Sequence, residues 1–257
     1  MNKPIVIFGI GQLGGVFSRG FLRNNHPVYP ITRTTDISEL AQTIDPELIL
    51  VCVTEADLQS ALRSVPNVWK DRVAMIQNEL LPKDWQPHNL FQPTVMSVWF
   101  EKKQGKGVKV LISSPTYGAK AKVLTDSLNL INIPSHVVSD RETLLFELVL
   151  KNLYILTTNI AGLMIEPSAT VNDLRTHHSD LMRAVSADVL KLQSVLAGSS
   201  FDKDKLEQGM MAAFEGDLHH ICMGRSAPAR LNRVLEQAQQ LQLSLPVLEE
   251  ISNNLSG

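Results

Sequence analysis

Gly9-Ile10-Gly11-Gln12-Leu13-Gly14 directly follows the apolar run Ile5-Val6-Ile7-Phe8, and a helix-like pattern of Val16, Phe17, Phe21 and Leu22 follows it. A Gly-x-Gly-x-x-Gly turn between a strand and a helix has a mechanical meaning. The first glycine permits the tight turn, the second lets a diphosphate approach the backbone, and the third lets helix and strand pack closely. The helix N-terminus adds free N–H groups and a partial positive charge. Gly9, Gly11, Gln12, Leu13 and Gly14 are therefore expected to bind a dinucleotide. A second apolar stretch, Val28-Tyr29-Pro30-Ile31-Thr32, ends at Arg33-Thr34-Thr35, where an NAD site usually carries Asp or Glu. A guanidinium followed by two hydroxyls suits the additional 2′-phosphate of NADP, so NADP(H) is the expected cofactor.

Two other positions carry chemical groups in unusual settings. Gln77-Asn78 closes the strand-like run Val73-Ala74-Met75-Ile76, which places an amide at a strand end. Lys151 is the single cation in the apolar segment 144–165. That segment is long enough to cross a membrane at 1.5 Å per residue. Glu147, Lys151, Asn152 and Asn159 within it argue instead for a helix buried in a helical domain. Lys151, Thr158 and Asn159 fall near one face of that helix. A buried polar stripe needs partners: Glu147, one turn earlier, offers Lys151 an ion pair, and a bound ligand is the other reading.

The elements that must position these groups alternate at first and then become helical only. Strands are expected at 48–53, 73–77, 94–100, 108–113 and 135–138, with helices over 36–44, 57–64 and 119–130. This alternation predicts an α/β fold, with a Rossmann-type, doubly wound parallel sheet in an N-terminal domain of residues 1–139. Residues 140–257 predict an all-α C-terminal domain for substrate binding or dimerisation. The apolar surface of the long helix leaves domain docking and a homodimer both open.

Composition narrows the setting. The chain has 257 residues, 44% hydrophobic and 19% charged, with a formal net charge of −2. That balance gives no general attraction to nucleic acid or to an anionic membrane. Cys52, in an expected core strand, and Cys222, in an expected helix, lack Cys-x-x-Cys spacing and read as reduced thiols. The N-terminal apolar run is cut by glycines, unlike a signal peptide, and the expected location is cytoplasmic. His177-His178 and His219-His220 lack the i, i+4 spacing of helical metal ligands, and no metal site is expected. Glu215, Asp217 and His219 read as a polar helix face. The lysine-rich turn at 102–109 could meet a phosphate but reads as a solvated hairpin tip.

The glycine motif, Arg33 closing the second strand, Gln77-Asn78 after a strand and Lys151 on a long helix together resemble the ketopantoate reductase (2-dehydropantoate 2-reductase) family. The resemblance covers most of the chain. It implies that Arg33 contacts the NADP 2′-phosphate, that Asn78 lies by the nicotinamide and substrate, and that Lys151 is the catalytic lysine. Asn159 matches one of the family's asparagines on the same helix, and Thr158 lies beside it.

The chain also departs from the family pattern. Val53-Thr54-Glu55 stands where the family has a lysine, and Asn78-Glu79 replaces its Asn-Gly. Ile155 replaces an asparagine four residues beyond the lysine. The family's substrate-binding glutamate, in a Thr-Glu-Ile-Asp pattern, is missing from Gly224–Asn232, which contains no carboxylate. The implied function is an NADPH-dependent oxidoreductase that reduces a small 2-oxo acid or related carbonyl compound. The alternatives are a non-catalytic NADP(H) sensor and an NADP-dependent dehydrogenase or imine reductase with another substrate.

Overall fold

The computed structural model describes residues 2–90 and 92–256. It divides into two compact units, one ending at Leu148 and one beginning at Val149. The division falls inside the long helix, a few residues beyond the sequence-based boundary near 139–141.

The first unit contains strands β1 (Ile5–Phe8), β2 (Val28–Ile31), β3 (Leu48–Val51), β4 (Val73–Met75), β5 (Thr94–Met96), β6 (Phe100–Lys102), β7 (Val108–Val110), β8 (Ser114–Tyr117) and β9 (Ser135–Val137). Between them lie helices α1 (Gln12–Arg23), α2 (Ile37–Thr43), α3 (Leu58–Ser64) and α4 (Ala121–Asn129). Seven strands form one sheet in the order β2-β1-β3-β4-β5-β8-β9. β1 and β3 are apolar at every position because the sheet buries both their faces. β2 contains Pro30 and is the edge strand, where a missing N–H leaves no ladder bond unmade.

Strand order reverses beside β1: the chain passes from β1 to β2 on one side, then crosses to β3 on the other. In open α/β sheets, ligands bind at such a switch point, outside the carboxyl ends of the strands. The glycine turn occupies this position.

The stretch expected as two long strands breaks up differently. β6 and β7 leave the main sheet as a separate two-stranded hairpin. This reversal returns the chain as β8, which pairs antiparallel with β5 and parallel with β9, so β8 and β9 both run opposite to the other five strands of the sheet. The hairpin packs on α1 through Phe100 and Phe17, whose ring centroids are 5.9 Å apart. Phe17, Phe21, Leu124 and Leu128 fill the core between α1, α4 and the sheet.

Helix α5 (Arg141–Ala161) continues into a 3₁₀ turn at Gly162–Met164. Arg141–Met164 is long and apolar enough to cross a membrane, but 78% of its most apolar stretch is buried, as in a core helix. The second unit adds α6 (Val171–His177), α7 (Ser179–Ala197), α8 (Lys203–Gly216), α9 (Ala227–Gln240) and α10 (Pro246–Ser256). Tyr154 of α5 meets Phe214 of α8 edge-on at 5.6 Å. The buried Asp188 carboxylate of α7 accepts from Val247 N at 2.9 Å, which satisfies the first turn of α10.

Two local expectations are corrected here. Cys222 lies in the irregular segment between α8 and α9, not in a helix, although its thiol is free and buried. The helix α8 stops at Gly216, so of the three polar residues expected on one helical face only Glu215 is helical, while Asp217 caps the end. The break follows from Gly216 and Asp217, which favour turn over helix.

Candidate functional site

Three glycines of the turn after β1 meet three different surroundings. Gly9 has φ +91°, and an added Cβ would lie 2.6 Å from the Cys52 carbonyl oxygen. At Gly14 a Cβ would lie 2.2 Å from the Gly9 carbonyl oxygen, which is why α1 can pack so close to β1. Gly11 has nothing within 4 Å of such a Cβ, so its outer side is open. Gly11 is also the N-cap of α1, with no side chain answering the first-turn N–H groups. An open approach beside unanswered N–H donors fits a diphosphate, and this is the observation that a nicotinamide dinucleotide requires of the turn.

Gly11, Gln12 and Leu13 share a cleft of about 280 Å³ with the segment after β3 and with Gln77 and Asn78 after β4. The structure thus brings together the glycine turn and Asn78, as their positions at strand ends require. Gln77 is buried and fixes the floor of the cleft. Its Nε2 donates to the Val51 carbonyl at 2.9 Å and to the Val53 carbonyl at 3.1 Å, and its Oε1 accepts from Ile76 N. Cys52 forms part of the wall, and burial pushes its thiol up to about 12, so it stays protonated and acts as an apolar surface. Glu55, in the same cleft, accepts from the Asn78 backbone N–H at 3.3 Å and from its Nδ2 at 3.4 Å. The sequence identified Glu55 only as a departure from a family pattern. Its contact with Asn78 links two crossovers 23 residues apart, and no local pattern reports that.

Arg33 is exposed in the turn that leaves β2, the strand on the other side of β1 from β3 and β4. Its neighbours form a hydroxyl cluster: Thr32 Oγ1 lies 3.1 Å from Thr34 Oγ1 and 3.0 Å from Thr35 Oγ1. The nearby Asp36 carboxylate caps α2, accepting from Ser38 N and Glu39 N. Its charge is therefore committed to the helix dipole.

A wider groove, about 630 Å³, also reaches Gly11 and Gln12 and is bordered by Arg19, Lys102 and Lys106. The hairpin lysines thus stand closer to the glycine turn than a solvated tip would suggest. Lys102 is partly engaged within its own hairpin, where it donates to the Lys103 and Lys106 carbonyls.

In the second unit, Lys151 is buried at 6% exposure, with Nζ 5.5 Å from the Tyr154 ring centroid. About two turns further on, Thr158 donates to the Tyr154 carbonyl at 2.8 Å, and Asn159 Oδ1 accepts from Arg230 Nη1 at 2.8 Å. Arg230, at 7% exposure, lies within the segment where the family resemblance implies a glutamate, whereas Arg225 is exposed. The interior of this unit therefore carries Lys151, Thr158, Asn159 and Arg230.

Solved structures share this architecture over nearly the whole chain. A 2-dehydropantoate 2-reductase from Methylococcus capsulatus superposes with a TM-score of 0.71 at 13% identity, covering 98% of this chain and 96% of the other. A probable 2-dehydropantoate 2-reductase from Bacillus subtilis gives 0.67 at 17% identity, covering 98% and 99%. This chain has the ketopantoate reductase fold. The same fold occurs in a D-mandelate dehydrogenase solved with NADH, at TM-score 0.64 and 12% identity, covering 97% and 96%. No family model matches the sequence, and no curated protein is similar to it in sequence. The ketopantoate reductase fold is thus retained here with few of its side chains in common, and the chemistry must be argued from the residues present.

Proposed function

We propose that the chain is an NADPH-dependent reductase of a small 2-oxo acid or related carbonyl compound. The observation that carries this reading is the glycine turn, open at Gly11 and closed at Gly9 and Gly14, opening into a cleft that ends at Asn78. Gly11, Gln12 and Leu13 would take the diphosphate, and Arg33 with Thr34 and Thr35 the 2′-phosphate of the adenosine half. Solved proteins of this fold are named for 2-dehydropantoate and for mandelate, a 2-oxo acid and a 2-hydroxy acid. When bound, NADPH supplies a hydride.

The chain's own residues supply the rest. A carbonyl that becomes an alkoxide needs a positive charge and a proton. Lys151 Nζ can provide both, first polarising the oxygen and then donating a proton to it. Asn78 orients the nicotinamide half or the substrate, and Asn159 Nδ2 offers a hydrogen bond to the acid beside Thr158, whose own proton goes to the Tyr154 carbonyl. The missing carboxylate in Gly224–Asn232 favours a second reading, a protein that binds NADP(H) and senses it without turnover.

A panel of 2-oxo acids, with imines included, separates the two. The reductase reading expects steady NADPH oxidation with one or more members, reduced about 10²–10⁴-fold by Lys151→Ala with NADPH affinity retained. NADPH binding without turnover across the panel would favour the sensor.

A further inference from the structure

We infer that Glu55 is a positioning residue that fixes the amide of Asn78 with its carbonyl oxygen toward the cleft. For its place in catalysis, the inference rests on the cofactor reading above. One Glu55 oxygen accepts both the Asn78 backbone N–H, at 3.3 Å, and its side-chain Nδ2, at 3.4 Å. An amide held by its NH₂ on a carboxylate cannot turn over without placing its own carbonyl oxygen against that carboxylate. Oδ1 must therefore point away from Glu55.

The surroundings make this clamp firm. Glu55 is carried on a turn closed by Asp57 N to the Thr54 carbonyl at 3.1 Å and by Thr54 Oγ1 to Asp57 Oδ2 at 2.7 Å. Asn78 follows Gln77, which is itself tied to the Val51 and Val53 carbonyls. Both ends of the Glu55–Asn78 contact are thus anchored on the segment after β3, and both residues line the cleft shared with Gly11 and Gln12.

A fixed acceptor in that cleft selects a ligand group that donates. Arg33 lies at the end of β2, on one side of β1, and Asn78 at the end of β4, on the other. A dinucleotide centred on the glycine turn with its adenosine at Arg33 extends its nicotinamide half toward Asn78. The donors of that half are its ribose hydroxyls and its primary carboxamide, and Asn78 Oδ1 accepts from one of these.

The clamp is tested first without any ligand. Nitrogen-15 NMR of the full chain should show the Asn78 side-chain NH₂ and backbone amide resonances displaced in Glu55→Ala and largely restored in Glu55→Gln, whose carbonyl can still accept. Unchanged Asn78 resonances in Glu55→Ala would overturn the inference, whatever the protein binds. The second test uses NADPH and 2′,5′-ADP, which lacks the nicotinamide half. Glu55→Ala should weaken NADPH about three- to tenfold and leave 2′,5′-ADP unchanged. Adding Asn78→Ala to Glu55→Ala should cost little more, because the two act as one unit. Equal weakening of both nucleotides would overturn the assignment to the nicotinamide half. If the wild type binds neither nucleotide, the cofactor reading fails, while the NMR comparison still decides the clamp.

Discussion

Gly11 and Gly14 stand three positions apart and respond oppositely to an added methyl group. At Gly14 the methyl would lie 2.2 Å from the Gly9 carbonyl oxygen, so helix and strand must separate. Gly14→Ala is expected to destabilise the protein by about 1–3 kcal/mol, the usual range for overpacking, read as a lowered thermal midpoint. At Gly11 the methyl meets open space, and Gly11→Ala should change stability by no more than about 0.5 kcal/mol. Its effect should appear in titration with NADPH, because the methyl occupies the approach of the diphosphate. Loss of stability in both variants with unchanged binding would mean that the turn serves packing alone. The packing demands at Gly9 and Gly14 were legible in the sequence because the turn and the close approach of helix to strand leave no room there for a Cβ. The contact of Glu55 with Asn78 was not legible, since the two lie on different crossovers and the glutamate side chain is chemically ordinary.

At the scale of the elements, the amino-terminal ends of the strands are tied by charge. Asp45, just before β3, accepts from Arg72, just before β4, and from Lys3, just before β1, at 2.7 Å for the lysine. Arg72 first, then Lys3, hold the Asp45 carboxyl down at about 2 against an ordinary 3.8. A carboxyl depressed in the folded state contributes fully above its unfolded value and loses that contribution as pH falls through the folded one. The thermal midpoint of Asp45→Asn should therefore fall less steeply than that of the wild type between about pH 4 and about pH 2. Parallel slopes would show that this cluster does not contribute to acid sensitivity.

Most elements were legible from apolar runs and their breakers: β1, β3 and β4 as buried runs, α2 from its Asp36 cap, β2 as a short strand despite Pro30. The strand β8 was not, because Ser114-Pro115-Thr116-Tyr117 has neither an apolar run nor alternation. The sheet tolerates its proline because the missing N–H falls opposite Ser97, one residue beyond the end of β5, where the Pro115 carbonyl still accepts from Ser97 N. The break after α8 was misread because the polar residues following Gly216 also suit an exposed helix face.

At the scale of the whole molecule, fold and side chains carry different amounts of information. Architecture persists over 98% of the chain at 17% identity or less because burial pattern and strand order constrain it, while many sequences satisfy both. The functional reading therefore depends on a small set of residues, and cofactor choice is the part that all of them share. A homodimer, left open by the apolar long helix, is a separate proposal that light scattering at several concentrations would decide. The central claim is that the first unit holds NADP(H) with Arg33 on the 2′-phosphate, and calorimetric titration of NADPH and NADH into wild type and Arg33→Ala tests it most directly. The wild type should prefer NADPH, and the variant should lose about ten- to a hundredfold in NADPH affinity with NADH unchanged. Absence of binding by either nucleotide, or the same NADPH-to-NADH ratio in both proteins, would contradict it.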